Sequence, residues 1–129
     1  MEERRRRGPM SADPQFRTVW APDEFPDSTR GPVRFVPVTR RGIVVGYAWA
    51  AVTNDAAGFI PRAAAGGDGF NTHVAWVARL RSVKADGLLP LEALTGWAGA
   101  PEDELAGHVA SSAEAEVATL DDLADIAAK

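Results

Sequence analysis

The chain has 129 residues, 46% of them hydrophobic and 25% charged, which is ordinary for a single globular domain. It contains no cysteine and only two histidines, which excludes disulfides, cysteine nucleophiles, thiolate zinc sites and histidine-rich metal sites. No apolar run approaches the roughly 20 residues of a membrane-spanning helix. No apolar segment follows the N-terminal arginines, so they do not resemble a secretion signal. We therefore expect a cytoplasmic protein with no membrane contact and no metal site.

The net charge of −4 is unevenly distributed along the chain. Residues 1–84 carry more basic than acidic side chains, whereas residues 85–129 carry ten acidic residues and one lysine. Arginine outnumbers lysine 12 to 2 and alanine is abundant, a bias typical of high-GC genomes such as those of actinobacteria and their phages. The charge asymmetry predicts either solvated surfaces or contact with a charged partner.

The N-terminal residues 1–15 are polar, contain two prolines and lack hydrophobic periodicity. They predict a disordered arm ahead of a single α+β domain over residues 16–129. The four arginines at 4–7 have no aromatic residue among them, so they argue only weakly for nucleic acid, which is not the expected partner. Met10 is an alternative start to Met1, and translation from it would omit these arginines.

Three strands are predicted in the first half of the domain. Residues 16–20 form a short strand candidate, and the proline-rich loop that follows has Phe25 as its apolar anchor. Residues 33–53 predict a hairpin that turns at Arg41 and Gly42. Pro37 cannot donate a ladder hydrogen bond, which favours an edge position for the first hairpin strand. The second is apolar on both faces, as in a central covered strand. One face carries small residues, and the other carries Ile43, Val45, Tyr47 and Trp49.

The second half of the chain predicts helices. Asn71 or Thr72 is expected to cap a helix that ends after Lys84, with Gly87 as its left-handed C-terminal residue. Trp76 lies on the apolar face of this helix, and we expect it to share one core with the hairpin's Trp49. A second helix beginning at Pro90 would complete an αα-hairpin.

The remaining segments differ in how clearly they are patterned. Residues 101–118 are acidic and alanine-rich and predict a loose excursion, in which His108 is exposed. The acidic run at 102–104 predicts a solvated turn, since it lacks the spacing of a calcium loop. Thr119 predicts the cap of a final helix. Phe59 and Ile60 indicate a further short strand or a loop anchor.

Taken together, the elements predict an α+β fold. A small antiparallel sheet, made of the hairpin at 33–53 plus one or two short strands, packs against an αα-hairpin and a C-terminal helix. His73 is expected to be a semi-buried structural residue bonded to nearby backbone, and the alternative is a general base.

The strand GIVVGYAWA, the loop containing Arg62 and several glycines, and the following helix resemble the central part of GNAT-type acetyltransferases. In that family an Arg/Gln-x-x-Gly-x-Gly/Ala loop holds the pyrophosphate of coenzyme A through its amides. The match here is Arg62-x-x-Ala65-x-Gly67, in which the first glycine is replaced, and the family's later strands have no counterpart. The resemblance implies a reduced cofactor-binding domain that uses the loop 62–73 and the helix N-terminus. Its candidate residues are Arg62, Gly66, Gly67 and Gly69.

Three arginines on or beside the first hairpin strand form the candidate interaction surface: Arg34, Arg40 and Arg41. The planar guanidinium grips a carboxylate or phosphate with two bonds. Alternatively, positive charge on a strand edge prevents aggregation. We expect a non-enzymatic interaction module without catalytic residues or cofactor, whose partner is a protein of acidic character. The oligomeric state stays open.

Overall fold

The computed structural model describes residues 24–110 and 113–129. In chain order its elements are strands β1 (Val33–Arg40), β2 (Ile43–Ala51) and β3 (Ala57–Pro61), helices α1 (Gly67–Ala85) and α2 (Pro90–Gly96), strands β4 (His108–Val109) and β5 (Ala115–Val117), and helix α3 (Leu120–Ala127). The predicted α+β class, with its αα-hairpin and C-terminal helix, is confirmed. The predicted arm at 1–15 and strand at 16–20 lie outside the described residues. Among the described residues, no helix is both long and apolar enough to cross a membrane.

The sheet is antiparallel, with strand order β3-β2-β1-β4, and β5 also pairs with β1. The prediction that β1 is an edge strand is therefore wrong. On the side away from β2, β4 pairs with Val38 and Thr39, and β5 pairs with the first three residues of β1. Pro37 falls between these two short ladders, which explains how a proline fits inside the sheet. Both β4 and β5 come from the acidic segment 101–118, so the expectation of a loose excursion there is also wrong.

The hairpin turn lies where it was predicted. Arg41 and Gly42 both have positive φ, 53° and 81°, as a two-residue turn with the twist of a primed type requires. The β1–β2 register shifts between Val38 and Thr39, which marks a bulge. β2 lies between β1 and β3, which confirms its central position.

The sheet separates two hydrophobic clusters. The first lies on the side of α1 and α2 and includes Val45, Phe59 and Trp76. The second lies on the side of α3 and includes Trp49 and Leu123. Trp49 and Trp76 are both buried, at 2% and 0% exposure, but the expectation that they share one core is wrong. Neighbouring strand residues point to opposite faces, and α1 packs on the small-residue face of β2 that Trp49 does not occupy.

The ends of α1 and the start of α3 show which helix boundaries the local sequence predicts correctly. α1 begins at Gly67, so the expected caps Asn71 and Thr72 are wrong, and no side chain caps it. At its other end Gly87 has φ 76°, and the Gly87 and Leu88 N–H groups donate to carbonyls of the last turn, as in a Schellman motif. Thr119 caps α3 through a capping box with Asp122, which confirms that prediction.

Candidate functional site

The three candidate arginines of the hairpin do not form one surface. Arg34 and Arg40 lie at opposite ends of β1, about 20 Å apart at the rise of a strand. The Arg34 Nε atom lies 2.7 Å from Glu114 Oε2, and its Nη1 lies 3.7 Å from Glu116 Oε1. The hydrogen bond and charge of Glu114 raise the pKa of Arg34. Acidic residues next to and within β5 therefore occupy this guanidinium.

The other two arginines also meet acidic residues of their own chain. The Arg40 side chain is 10% exposed, and its Nη1 lies 3.5 Å from Asp68 Oδ1. The backbone N–H of Arg41 donates to the carboxylate of Glu102 at 3.2 Å. The contacts of Arg34 and Arg41 thus join the basic half of the sequence to the acidic half, whereas the Arg40–Asp68 pair lies within the basic half.

The loop between β3 and α1, which carries the candidate cofactor residues, is a filled junction. The Arg62 guanidinium lies 3.5 Å from the carbonyl oxygens of Val44 and Lys129. A Cβ on Gly69 would lie 3.0 Å from Val45 O and 3.2 Å from Pro61 Cβ, so this glycine lets α1 approach the sheet. Arg62 and Gly69 therefore have structural contacts that account for their presence.

Gly66 and Gly67 differ, because a Cβ at either position would meet nothing within 4 Å. A cavity of about 190 Å³ lies beside this end of α1 and is lined partly by Arg40, Arg41 and Asp68. Arg40 Nη1 is buried there without a hydrogen-bond partner among the described residues. Asp68 already supplies a carboxylate to the positive end of α1, so it partly neutralises the charge that a pyrophosphate would meet.

A second cavity, of about 230 Å³, opens along the outer edge of β3. Residues of both hydrophobic clusters line it, including Phe59 of the first and Trp49 of the second. Glu24 and Arg81 form an ion pair at this cavity. His73, half-buried as predicted, also lines it and stacks on Phe59, with ring centroids 5.9 Å apart. The expected bond from His73 to nearby backbone is not found among the described residues.

The expectation that His108 is exposed in a loose segment is wrong. His108 lies in β4 and is half-buried, with Nδ1 2.8 Å from the carbonyl oxygen of Ala100. The acidic run at 102–104 leads into a turn at 103–107, in which Asp103 accepts hydrogen bonds from two backbone N–H groups. Among the described residues, no group of three His, Cys, Asp or Glu side chains is placed to hold a metal ion.

The most exposed large apolar side chains of α1 lie on its solvent side. Phe70 is 63% exposed and Val74 is 56% exposed, and their i, i+4 spacing places them on one ridge. Ala78 and Arg81 continue this ridge and are also exposed. We call these four residues the α1 outer face. The sequence indicates this face only through the apolar residues that α1 carries on its solvent side as well as on its core side.

Comparison with known proteins found no matching family model, no matching curated protein and no matching solved structure.

Proposed function

We propose that this protein is a small, cytoplasmic, non-enzymatic interaction module that binds another protein through the α1 outer face. The observation that carries the proposal is the exposure of Phe70 and Val74, at 63% and 56%. The solvent side of a surface helix is ordinarily polar, because only the side facing the core gains from apolar residues. Exposed apolar residues that adjoin one another are typical of protein contact sites.

The charge along this face indicates the chemistry of the partner. Arg81, which pairs with Glu24, lies on the face and Lys84 lies beside it. Asp68, the one acidic residue of α1, lies on the opposite side of the first turn. A segment with apolar side chains flanked by carboxylates would complement this arrangement. The expected partner is therefore an amphipathic, acidic protein segment. The hairpin arginines support such a partner less well, since Arg34 and Arg40 lie at opposite ends of β1 and each pairs with a carboxylate of its own chain.

The alternative, a reduced acetyltransferase-like cofactor domain, has less support. Its loop is packed against the sheet at Gly69, and the guanidinium of Arg62 lies against backbone carbonyls. The cavity of about 190 Å³ beside α1 is also smaller than the usual range for ligand pockets, roughly 300–1,000 Å³.

An array of amphipathic peptides tests the proposed partner chemistry. Each peptide would be presented in a glutamate-rich version and in a lysine-substituted version. We expect selective binding to acidic versions, and a loss of about tenfold or more for Phe70→Gln with Val74→Gln, since central apolar anchors dominate binding energy. The control is Asn71→Gln with Ser82→Gln, two exposed polar positions of the same helix.

Two results would contradict the proposal. One is equal binding by the wild type and the Phe70/Val74 variant, both with unchanged melting temperatures. The other is a wild-type dimer, seen by light scattering, that the double variant abolishes, because the face would then bind a second copy of the chain.

A further inference from the structure

The basic end of the α1 outer face is already in contact with a carboxylate. Arg81 Nε donates a hydrogen bond to Glu24 Oε2 at 2.9 Å, and Arg81 Nη2 donates to the same oxygen. One edge of the guanidinium, with the two parallel N–H groups that bind a carboxylate, is therefore occupied. Both side chains are more than half exposed, so the ion pair lies at the surface, where a partner of this face would meet it.

The segment that carries Glu24 is fixed to the domain by other contacts. Phe25 is buried in the first cluster, and the Lys84 Nζ atom lies 5.1 Å from the centre of its ring. The carbonyl oxygen of Pro26 accepts a hydrogen bond from the Ala57 N–H at 2.9 Å. These contacts hold the backbone beside α1, so the chain keeps Glu24 next to the basic end of the face even without the ion pair.

The fixed position of Glu24 determines which ligands can replace it. An isolated carboxylate gains little at Arg81, because Glu24 is held beside it at a high effective concentration. A segment that also covers Phe70 and Val74 gains apolar contact as well. Exposed ion pairs are weak, since water and salt screen the charges, and their strength corresponds to a change of up to about fivefold in an equilibrium constant. The apolar contact is therefore sufficient to displace Glu24.

The spacing of residues along α1 limits which segments can make both contacts. Arg81 follows Val74 by seven residues, which is about 10 Å along the helix axis. A segment that covers Phe70 and Val74 must therefore carry its carboxylate about 10 Å from its apolar anchor to reach the guanidinium.

We propose that Glu24 is an internal competitor for the partner's carboxylate. It makes the α1 outer face selective for segments that carry an apolar anchor and a carboxylate about 10 Å apart. Glu24 thus lowers the affinity for acidic segments and limits the binding of isolated carboxylates at Arg81. This inference rests on the proposed function, because it concerns the regulation of the same face.

Fluorescence anisotropy with a labelled acidic peptide of the array, and with its lysine-substituted version, tests this inference. We expect Glu24→Gln to bind the acidic peptide about two- to fivefold more tightly than the wild type, because Arg81 is then free of its internal carboxylate. The lysine-substituted peptide should not bind more tightly. Arg81→Gln should bind the acidic peptide more weakly than the wild type, and adding Glu24→Gln to that variant should give no gain.

The matched control is Asp27→Asn, which removes the same charge from the same segment. Asp27 is exposed and forms no ion pair within residues 24–110 and 113–129. Its removal should therefore change the affinity less than Glu24→Gln does. Both substitutions are at exposed positions, so both variants should fold, and their melting temperatures check this.

The results separate this inference from the proposed function. Suppose that the wild type binds the acidic peptide through Phe70 and Val74. A Glu24→Gln variant that then gives no gain, or an Asp27→Asn variant that gives the same gain, would overturn the inference alone. If neither the wild type nor Glu24→Gln binds the peptide, both proposals are overturned. Binding that appears only with Glu24→Gln, and is lost on adding Phe70→Gln and Val74→Gln, would support both, because the internal carboxylate then blocks the face.

Discussion

Trp76 Nε1 donates a hydrogen bond to the carbonyl oxygen of Ala106 at 2.9 Å, inside the first cluster. Both residues are buried, and a buried indole N–H requires such an acceptor. The bond joins the middle of α1 to the turn that precedes β4. The turn before β4 is therefore anchored to a helix residue 30 positions earlier in the sequence.

Two substitutions of Trp76 should destabilise the fold by different amounts, because one removes the ring and the other removes only its hydrogen bond. Trp76→Ala removes a ring that also packs edge-to-face on Trp97, with centroids 4.7 Å apart, and should cost about 3–5 kcal/mol. Trp76→Phe keeps most of the ring but leaves the Ala106 carbonyl without its partner, which should cost about 1–3 kcal/mol. Urea unfolding measures both. An unchanged midpoint for Trp76→Ala would contradict the burial of this residue.

Acid should weaken the turn at 103–107. Hydrogen bonds from the backbone N–H groups of Ala106 and Leu105 lower the pKa of Asp103 below its usual 3.8. A lowered folded-state pKa contributes stability above the unfolded-state value, and this is lost as pH falls through the lower folded-state value. Asp103→Asn should therefore flatten the dependence of the unfolding free energy on pH below about 3.8. Glu104→Gln, at an exposed neighbour, is the control, and an identical effect of both substitutions would contradict the assignment.

Thr72→Val should stabilise the protein. Thr72 is fully buried, and its hydroxyl has no hydrogen-bond partner in the part of the chain that the structure describes. Replacing the hydroxyl with a methyl group of similar shape removes the cost of burying it, so a gain of about 1 kcal/mol is expected in urea or thermal unfolding. Thr72→Ser retains the hydroxyl and should not give this gain. A loss of stability for Thr72→Val would indicate a partner for the hydroxyl.

The glycines before and within α1 should respond differently to alanine. Gly69→Ala places a Cβ against Val45 O and should cost about 1–3 kcal/mol, the range for overpacking. Gly67→Ala meets no atom within 4 Å and should be neutral or stabilise by up to about 1 kcal/mol. Thermal unfolding of the pair measures the difference. Equal effects would contradict the packing role of Gly69.

Removing residues 1–10 should leave the stability of the domain nearly unchanged. Their only apolar side chains besides a proline are two methionines, so a change within roughly 0.5 kcal/mol is expected. Unfolding of the truncated and full chains in urea measures it. A larger loss would mean that the arginines at 4–7 contribute to the fold.

The parts of the fold that sequence predicted are those set by neighbouring residues. Thr119 and Asp122 are three residues apart, and Gly87 ends α1 through its own backbone conformation, so both helix ends follow from local chemistry. β4 and β5 have two and three residues, too few for a periodic pattern, and both pair with the backbone of β1, which precedes them by about 70 residues or more. The bulge beside Val38 brings Val45 into the first cluster rather than the second, which strict alternation does not anticipate.

The candidate sites were harder to predict because they too depend on contacts between residues that are far apart in the sequence. Arg34 and Glu114 are 80 residues apart, so their pairing depends on the tertiary fold rather than on any local spacing. Phe70 precedes the expected helix start at Asn71, so it could not be assigned to a helix face. Once α1 begins at Gly67, Phe70 and Val74 fall on one exposed ridge.

The partners of the two edges of β1 are synthesised at different times. β2 follows β1 after a two-residue turn, whereas Glu114, which meets Arg34, is made 80 residues later. At about 5–20 residues per second, that delay is about 4–16 s. During this interval β1 is the outer strand of a nascent hairpin. Pro37 and the charged Arg34 and Arg40 then limit pairing with other nascent chains, because proline and charge block strand addition at an edge. Features typical of an edge strand thus protect β1 until β4 and β5 cover it.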